Sequence, residues 1–469
     1  MSKWFVLISI VLIVLVSCKK WVDPGLPTNE LVAPKVYDND SLANAALNYV
    51  YNGIMTSFGL LNGYTTKWTG LYGDELDKAK PENDELFISN SLTKDDVKMK
   101  ELWNTSYKLI YYANDVITGV KKSASLRAET SNQLIGEALF LRSLFYFYLA
   151  NLFGDVPLVT GIDPFINATL PQTPVPRIYD QLIADLKEAE KRLDDTYKSR
   201  LGLGYEERVR ANKKSATALL ARIYLYQQKW AEAEEAATAV INSQLYHLET
   251  DVLQTFLIPS KEAILQFMPV SKIYNTAEGS FFVPVVPTSK PAITLTDTII
   301  KSFEAGDKRW KWIREFSVGG NNYYSPYKYK ISQKSQGSAY QEYNVVLRLA
   351  EQYLIRAEAR MMQNKLQAAT EDINVIRVRA GINELPVFGT ISAAMTALQA
   401  ERCRELFAEW GQRWFDLKRW ASSVSLYQSK ADEVMSQRKP LTWKSTDLRW
   451  PIPHEQILLN PALKQNPGY

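Results

Sequence analysis

Residues Thr396 to Trp420 read TALQAERCRELFAEWGQRWFDLKRW, and how this stretch is read decides the fold. Leu398, Cys403, Leu406, Phe407, Trp410, Trp414 and Leu417 recur at steps of three and four, which places them on one stripe of a single amphipathic helix. Its charges stand at pairing distance: Arg402 with Glu405, Glu409 with Arg413, and Asp416 with Arg419. Gly411 inside such a helix costs roughly 1 kcal/mol against Ala, a cost that close approach by another backbone would offset. Glu401, Glu405, Glu409 and Asp416 are four carboxylates, as a glycosidase would want, but each has an Arg or Lys about one turn away. Such neighbours lower a carboxyl pKa, whereas a general acid needs it raised. The stretch therefore reads as a core-packing helix with an ion-paired rim.

The same stretch closely resembles the C-terminal signature of the SusD/RagB family, nutrient-binding lipoproteins of the Gram-negative outer membrane. The family's E-R-x-x-E-L-x-x-E-x-x-R-W-x-D-L-x-R-W pattern is carried here by Glu401, Arg402, Glu405, Leu406, Glu409, Arg413, Trp414, Asp416, Leu417, Arg419 and Trp420.

The composition of the whole chain narrows the possibilities further. Its 469 residues exceed one simple core. Lys plus Arg is 55 against 51 Asp plus Glu, a net +4, or about +3 without a leader containing Lys3; this is too mild to argue for nucleic acid. Two Cys (Cys18, Cys403) cannot build a disulfide framework, and two separated His (His247, His454) suggest neither a metal site nor a Cys–His dyad. Phosphate-loop, G-x-S-x-G, H-E-x-x-H and EF-hand patterns are missing from the sequence, and Asp38-Asn39-Asp40 reads as a turn or helix cap rather than a calcium loop. No cofactor is expected. The 12 Trp and 26 Tyr are more telling, because a chain so rich in aromatics is expected to place some on a binding surface.

Lys3 followed by the uncharged run Trp4–Val16 fits a signal peptide over residues 1–17, too short for a membrane span. Leu15-Val16-Ser17-Cys18 resembles the bacterial lipobox, which implies acylation of Cys18; an ordinary signal peptide with an incidental Cys18 is the alternative. Residues 18–34, with Pro24, Gly25, Pro27 and Pro34, read as an extended tether. The resemblance implies a lipid-anchored outer-membrane location. Lys19-Lys20 directly after the Cys, where exported family members carry acidic residues, leave surface display less secure than lipidation.

The body, residues 35–469, reads as mainly α, a tetratricopeptide-like scaffold of helical hairpins with long irregular insertions and little β. Helices are expected at Asp40 to about Met55, Lys98–Val120, Glu129–Leu152 and Arg177–Leu193, with Asn62–Asp96 as a long loop. Residues 103–114 resemble a family W-x-x-x-Y-x-x-I-x-x-A/C-N pattern, and Phe153–Leu158 its F-G-x-V-P-L. An internal repeat aligns Ala221–Ala233 with Ala357–Ala369, each a helix, a short polar turn and a second helix. The segment of about 248–343 lacks helical periodicity, with β-like runs at Ala263–Phe267 and Phe281–Val286. Within it, Asp307 and Arg309 resemble a family D-x-R element and Tyr327-Lys328-Tyr329 a K-Y element, both read as structural. Arg449–Tyr469 resembles the family's closing P-I-P…N-P-x-L-x-Q-N-P-G-Y and should run extended along the body.

The family resemblance implies a binding protein that captures oligomeric nutrients, most often glycans, for a SusC-like TonB-dependent outer-membrane transporter. A lipid-anchored glycosidase and a periplasmic repeat scaffold for protein partners are the rivals. No family motif carries the ligand residues over. Loops on a rigid scaffold are where recognition sits, which selects Trp68 and Tyr72 in the first loop and Trp310, Trp312, Tyr323 and Tyr324 in the insertion, with core packing as the alternative for each.

Overall fold

The computed structural model describes residues 36–56, 61–80, 84–198, 208–333, 335 and 337–469; the expected leader, the expected tether and Cys18 lie outside the described residues. Among the described residues, twelve helices of eight or more residues build the body: α1 (Asp40–Thr56), α2 (Tyr64–Tyr72), α3 (Val97–Lys122), α4 (Ala128–Phe153), α5 (Val175–Arg192), α6 (Lys213–Tyr226), α7 (Trp230–Ile241), α8 (Leu349–Met362), α9 (Leu366–Ala380), α10 (Ile391–Leu406), α11 (Gln412–Arg419) and α12 (Lys430–Arg438). The fold is mainly α, as the periodicity implies. α4 is apolar on every side and buried almost throughout from Gln133 to Phe153, the pattern of a helix enclosed by others. It packs against α3 and α5; α5 passes the stack on to α6, α6 to α7, α7 to α8, and α8 to α9 and α10.

The two repeat segments are the hairpins α6–α7 and α8–α9. Their turns match in detail. Gln228 and Asn364 both adopt positive φ (55° and 60°), and the following lysine amides reach back to Tyr224 O and Arg360 O at 2.9 Å. Alanines 233, 237, 357 and 369, all fully buried, allow the helices to approach.

Strands are short and come in antiparallel pairs: β1 (Leu76–Lys78) with β5 (Ile293–Leu295), β2 (Val156–Pro157) with β3 (Gln172–Thr173), β4 (Ala263–Phe267) with β8 (Asn344–Arg348), and the hairpin β6 (Ile313–Val318) with β7 (Asn321–Pro326). The run expected as β at Phe281–Val286 begins instead in a short helix, Ala277–Phe282, whose N-cap Thr276 accepts from Gly279 N. The expected loop Asn62–Asp96 contains α2, β1 and a further turn of helix at Glu85–Ile88. The C-terminal tail does lie along the body. Trp450 N donates to Leu152 O (2.9 Å), Asn466 Nδ2 donates to Phe153 O (2.7 Å), and a single short helix, His454–Leu459, interrupts it.

The stretch 396–420 is not one helix. α10 ends at Leu406, and the backbone then passes through positive φ at Ala408 (50°), Trp410 (50°) and Gly411 (74°) before α11 starts. Such conformations cost about 1 kcal/mol or more each at non-glycine residues, and tertiary contacts supply the compensation. Ala408 N donates to Glu75 Oε1 (2.8 Å), Trp410 N to Thr66 Oγ1 (3.0 Å) and Trp410 Nε1 to Val345 O (2.6 Å). Gly411 is therefore the left-handed N-cap of α11, and a Cβ there would meet Thr69 Oγ1 at 2.8 Å. Of the three charge pairs expected along the stretch, only Asp416–Arg419 forms. Arg402 turns to Asp416 (2.6 Å) and Arg413 to Asp74 (2.7 Å), because the break rotates α11 out of register with α10.

Candidate functional site

The expected ion-paired rim is a buried network. Glu401 and Glu405 are 0% exposed. Glu405 accepts from Arg309 (2.9 Å), Arg348 (2.6 Å) and Arg379; Glu401 accepts from Arg309 (2.6 Å) and Arg404 (2.8 Å); Glu409 pairs with Arg348 (2.8 Å) and Lys328. Burial pushes the Glu405 carboxyl up, but Arg379, Arg348 and Arg309 overcome it and hold the group well below the usual carboxylate range. Glu401 is likewise held down, against burial, by Arg309 and Arg404. Carboxylates clamped this way are not general acids. Burial draws the Lys328 ammonium down to about 8 against the pull of Glu409.

Among the buried carboxyls whose pKa is raised, Glu75 and Glu278 are lifted furthest. Burial lifts Glu75 to about 8 and Glu278 to about 7. Both are spent on structure. Glu75 receives the strained Ala408 amide, and Glu278 binds Thr66 Oγ1 and Asn344 Nδ2. With both 2% exposed, neither faces a groove that a substrate could enter.

The network positions one aromatic for solvent. Asp307 caps the 3-10 turn Lys308–Trp312 by accepting from Arg309 N (2.9 Å) and also binds the Arg309 guanidinium (2.8 Å), which reaches down to Glu401 and Glu405. The D-x-R element is thus structural, as expected, and so is Lys328 of the K-Y element. Arg309 and Trp312 face inward; Trp312 is 0% exposed and its Nε1 donates to Val252 O (2.8 Å). Trp310, between them, faces outward at 40% exposure. Its ring meets Phe303 edge-on (5.6 Å, 84°) and Tyr324 (6.0 Å, 63°), forming an aromatic ledge beside a groove of about 540 Å³ lined by residues 303–308, Trp310 and Lys311. Glu304, at the groove, is held below the ordinary range chiefly by its hydrogen bonds from Arg377.

Of the six aromatics selected from sequence, the structure brings Trp310 and Tyr324 together. Tyr323 alternates to the other face of the β6–β7 hairpin, opposite Phe316, where Lys290 lies 4.6 Å from its ring centre. The other three are corrected. Trp68 (1% exposed) stacks on Phe87 at 5.0 Å and donates to Asp84 (3.0 Å). Tyr72 (0%) packs edge-on against Trp414 and donates to Asp447 O (2.9 Å). Both belong to α2 rather than to a loop, and, with Trp312, they present no ring face to a ligand. Phe303 was missed: it stands alone before a Gly-containing turn, and nothing in the sequence signals its contact with Trp310.

Two family models match the chain: one described as "SusD family" over residues 308–469, and one described as "Starch-binding associating with outer membrane" over residues 37–225. The chain is similar to SusD-like protein P38 of Formosa agariphila, at 25% identity over 99% of this chain and 98% of that protein, and to SusD-like protein P2 of the same organism, at 24% over 100% of both. Among solved structures, a SusD superfamily protein of Bacteroides vulgatus superposes with a TM-score of 0.77 at 20% identity, covering 92% of this chain and 99% of that one. A laminarin-binding SusD-like protein superposes at 0.73 with 22% identity, covering 92% and 100%. Matched from both ends by family models and along its whole length by relatives, the chain belongs to the SusD/RagB family.

Proposed function

We propose that this protein is a lipid-anchored outer-membrane binding protein that captures oligomeric nutrients, glycans first among them, and delivers them to a SusC-like TonB-dependent transporter. The observation that carries the reading is the Trp310–Tyr324–Phe303 ledge beside its groove. Aromatic faces stack on the apolar faces of sugar rings, while flanking polar groups bond hydroxyls. The ledge rests on a fully buried ion network, so it is held ready rather than ordered on binding. A hydrolase would need a carboxylic acid of raised pKa within reach of the ligand; the groove's acids, Glu304 and Asp307, are both engaged by arginines. The likeness to the starch-binding family model and to the laminarin-binding neighbour supports a saccharide ligand. Lipidation at Cys18 and the transporter partner rest on the lipobox-like stretch Leu15–Cys18 and on family membership. The test is a calorimetric screen of the chain from residue 19 onward against neutral oligosaccharides, with product analysis after overnight incubation. Binding without cleavage is expected; release of shorter sugars would move the assignment to a glycosidase.

A further inference from the structure

A second concave site lies away from the ledge, on the helical scaffold. It is a groove of about 510 Å³ bounded by the turn of the α6–α7 hairpin, α8, the N-terminal half of α10 and the segment that follows α11. That volume is within the range of pockets that hold a drug-sized ligand.

Its charge is closed internally. Glu358 accepts from Arg419 (2.7 Å) and Trp420 Nε1 (3.0 Å). Arg419 also binds Asp416, which is paired with Arg402. Lys430 is held by Glu433 (2.6 Å), which also accepts from Ser422 Oγ (2.8 Å). Three carboxylates and three cations cancel, so no charge is left over to favour an anionic or a cationic ligand. What the groove does offer is a half-buried indole, Trp230, the side chains of Met362 and Met395, and the amides and hydroxyls of Gln228, Gln399 and Ser423. A flat apolar face with neutral hydrogen-bonding groups around it matches a neutral sugar ring, which is apolar on its C–H faces and polar at its edge.

We propose that this groove is a second binding site for neutral saccharide, with Trp230 as its stacking residue and Gln228 and Gln399 as its hydroxyl partners. The inference rests on the reading of the chain as a saccharide binder, and it deepens that reading: α10 borders this groove with Ser392–Gln399 and supports the ledge through Glu401 and Glu405. One rigid helix of 1.5 Å rise per residue therefore fixes the spacing of the two sites at roughly 10–15 Å along its axis. One oligomer could then be held at two points, or two chains at once, which raises avidity without further contacts.

The probes are laminarihexaose, maltohexaose and xylohexaose, titrated calorimetrically into the wild-type chain, Trp310→Ala, Trp230→Ala and Gln399→Ala, with a melting curve for each. At least one hexasaccharide should bind the wild type in two phases or with two equivalents. Trp230→Ala should remove one of them, Gln399→Ala should weaken the same one about tenfold, and Trp310→Ala should remove the other. Gln399 is only half-buried on α10, so its variant keeps the test valid if Trp230→Ala lowers the melting point. A single phase that Trp310→Ala abolishes and Trp230→Ala and Gln399→Ala leave unchanged would overturn the second site and leave the ledge standing. A single phase lost in Trp230→Ala alone would support this groove and remove the ledge. No binding of any of the three hexasaccharides would overturn the inference.

Discussion

Glu405→Gln should be among the most damaging single substitutions in the protein. Glu405 is buried at the meeting point of Arg309, Arg348 and Arg379, which are at most 4% exposed at the side chain. The wider network balances six carboxylates (Glu262, Glu304, Asp307, Glu401, Glu405, Glu409) against six cations (Arg309, Lys328, Arg348, Arg377, Arg379, Arg404). Gln keeps the volume but removes one negative charge and turns an NH2 donor toward a guanidinium that can only donate. Breaking a buried pair by removing one partner costs about 3–5 kcal/mol, because the other partner's charge is left uncompensated. A surface pair would cost at most about 1 kcal/mol. The assay is urea unfolding followed by both tryptophan fluorescence and circular dichroism, with coincident transitions as the condition for converting midpoints to free energies. Glu384→Gln, at an exposed position, is the control and should stay within about 0.5 kcal/mol of wild type. A Glu405→Gln loss below about 1 kcal/mol would show that the network behaves as a solvated rim and would refute the burial argument.

Three further outcomes follow from the same geometry. Gly411→Ala, which a continuous helix would welcome, should destabilise by more than about 1 kcal/mol, because φ is 74° and the new Cβ meets Thr69 Oγ1 at 2.8 Å; a gain in melting temperature would restore the single helix. Glu75, at about 8 when folded against an ordinary 4.5, stays protonated in the fold while the unfolded chain ionises, so its contribution is present below about pH 4.5 and lost as pH rises through about 8. Glu75→Gln should therefore gain on wild type by an order of a few kcal/mol between those limits, and a pH-independent difference in melting would contradict the shift. Cys18→Ala should release the protein from the membrane fraction and abolish incorporation of labelled fatty acid; unchanged retention would rule out the anchor.

Much of the fold was legible because long helices announce themselves. α1, α3, α4 and α5 fall within a few residues of their periodicity, and the repeat around Ala221 and Ala357 marks two hairpins whose turns place a left-handed residue, Gln228 or Asn364, at the same position. The organising stretch misled for a physical reason. Its apolar spacing continues through Phe407–Gly411, and only partners far away in the chain (Glu75, Thr66 and Val345) hold the break open. No local signal reports contacts that span from 65 to 344 residues. The same blindness turned buried carboxylates into an apparent rim, since their arginines come from residues 309, 348 and 379. The ligand surface was half legible. In K-R-W-K-W both indoles look alike; only the Asp307–Arg309 clamp decides that Trp312 faces inward and Trp310 outward. Trp230 sits inside a repeat whose regularity read as packing alone.

The most direct test of the central claim sets those two indoles against each other. A neutral oligosaccharide that binds the wild-type chain is titrated calorimetrically into Trp310→Ala and Trp312→Ala, each with a melting curve. The account predicts that Trp310→Ala weakens binding at the ledge at least tenfold, about 1.4 kcal/mol, with melting unchanged. Trp312→Ala should instead lower stability by about 3–5 kcal/mol, the cost of emptying a buried indole site. If Trp310→Ala binds like wild type at every site, or loses affinity only as far as it loses stability, the ledge is not where this protein holds its ligand.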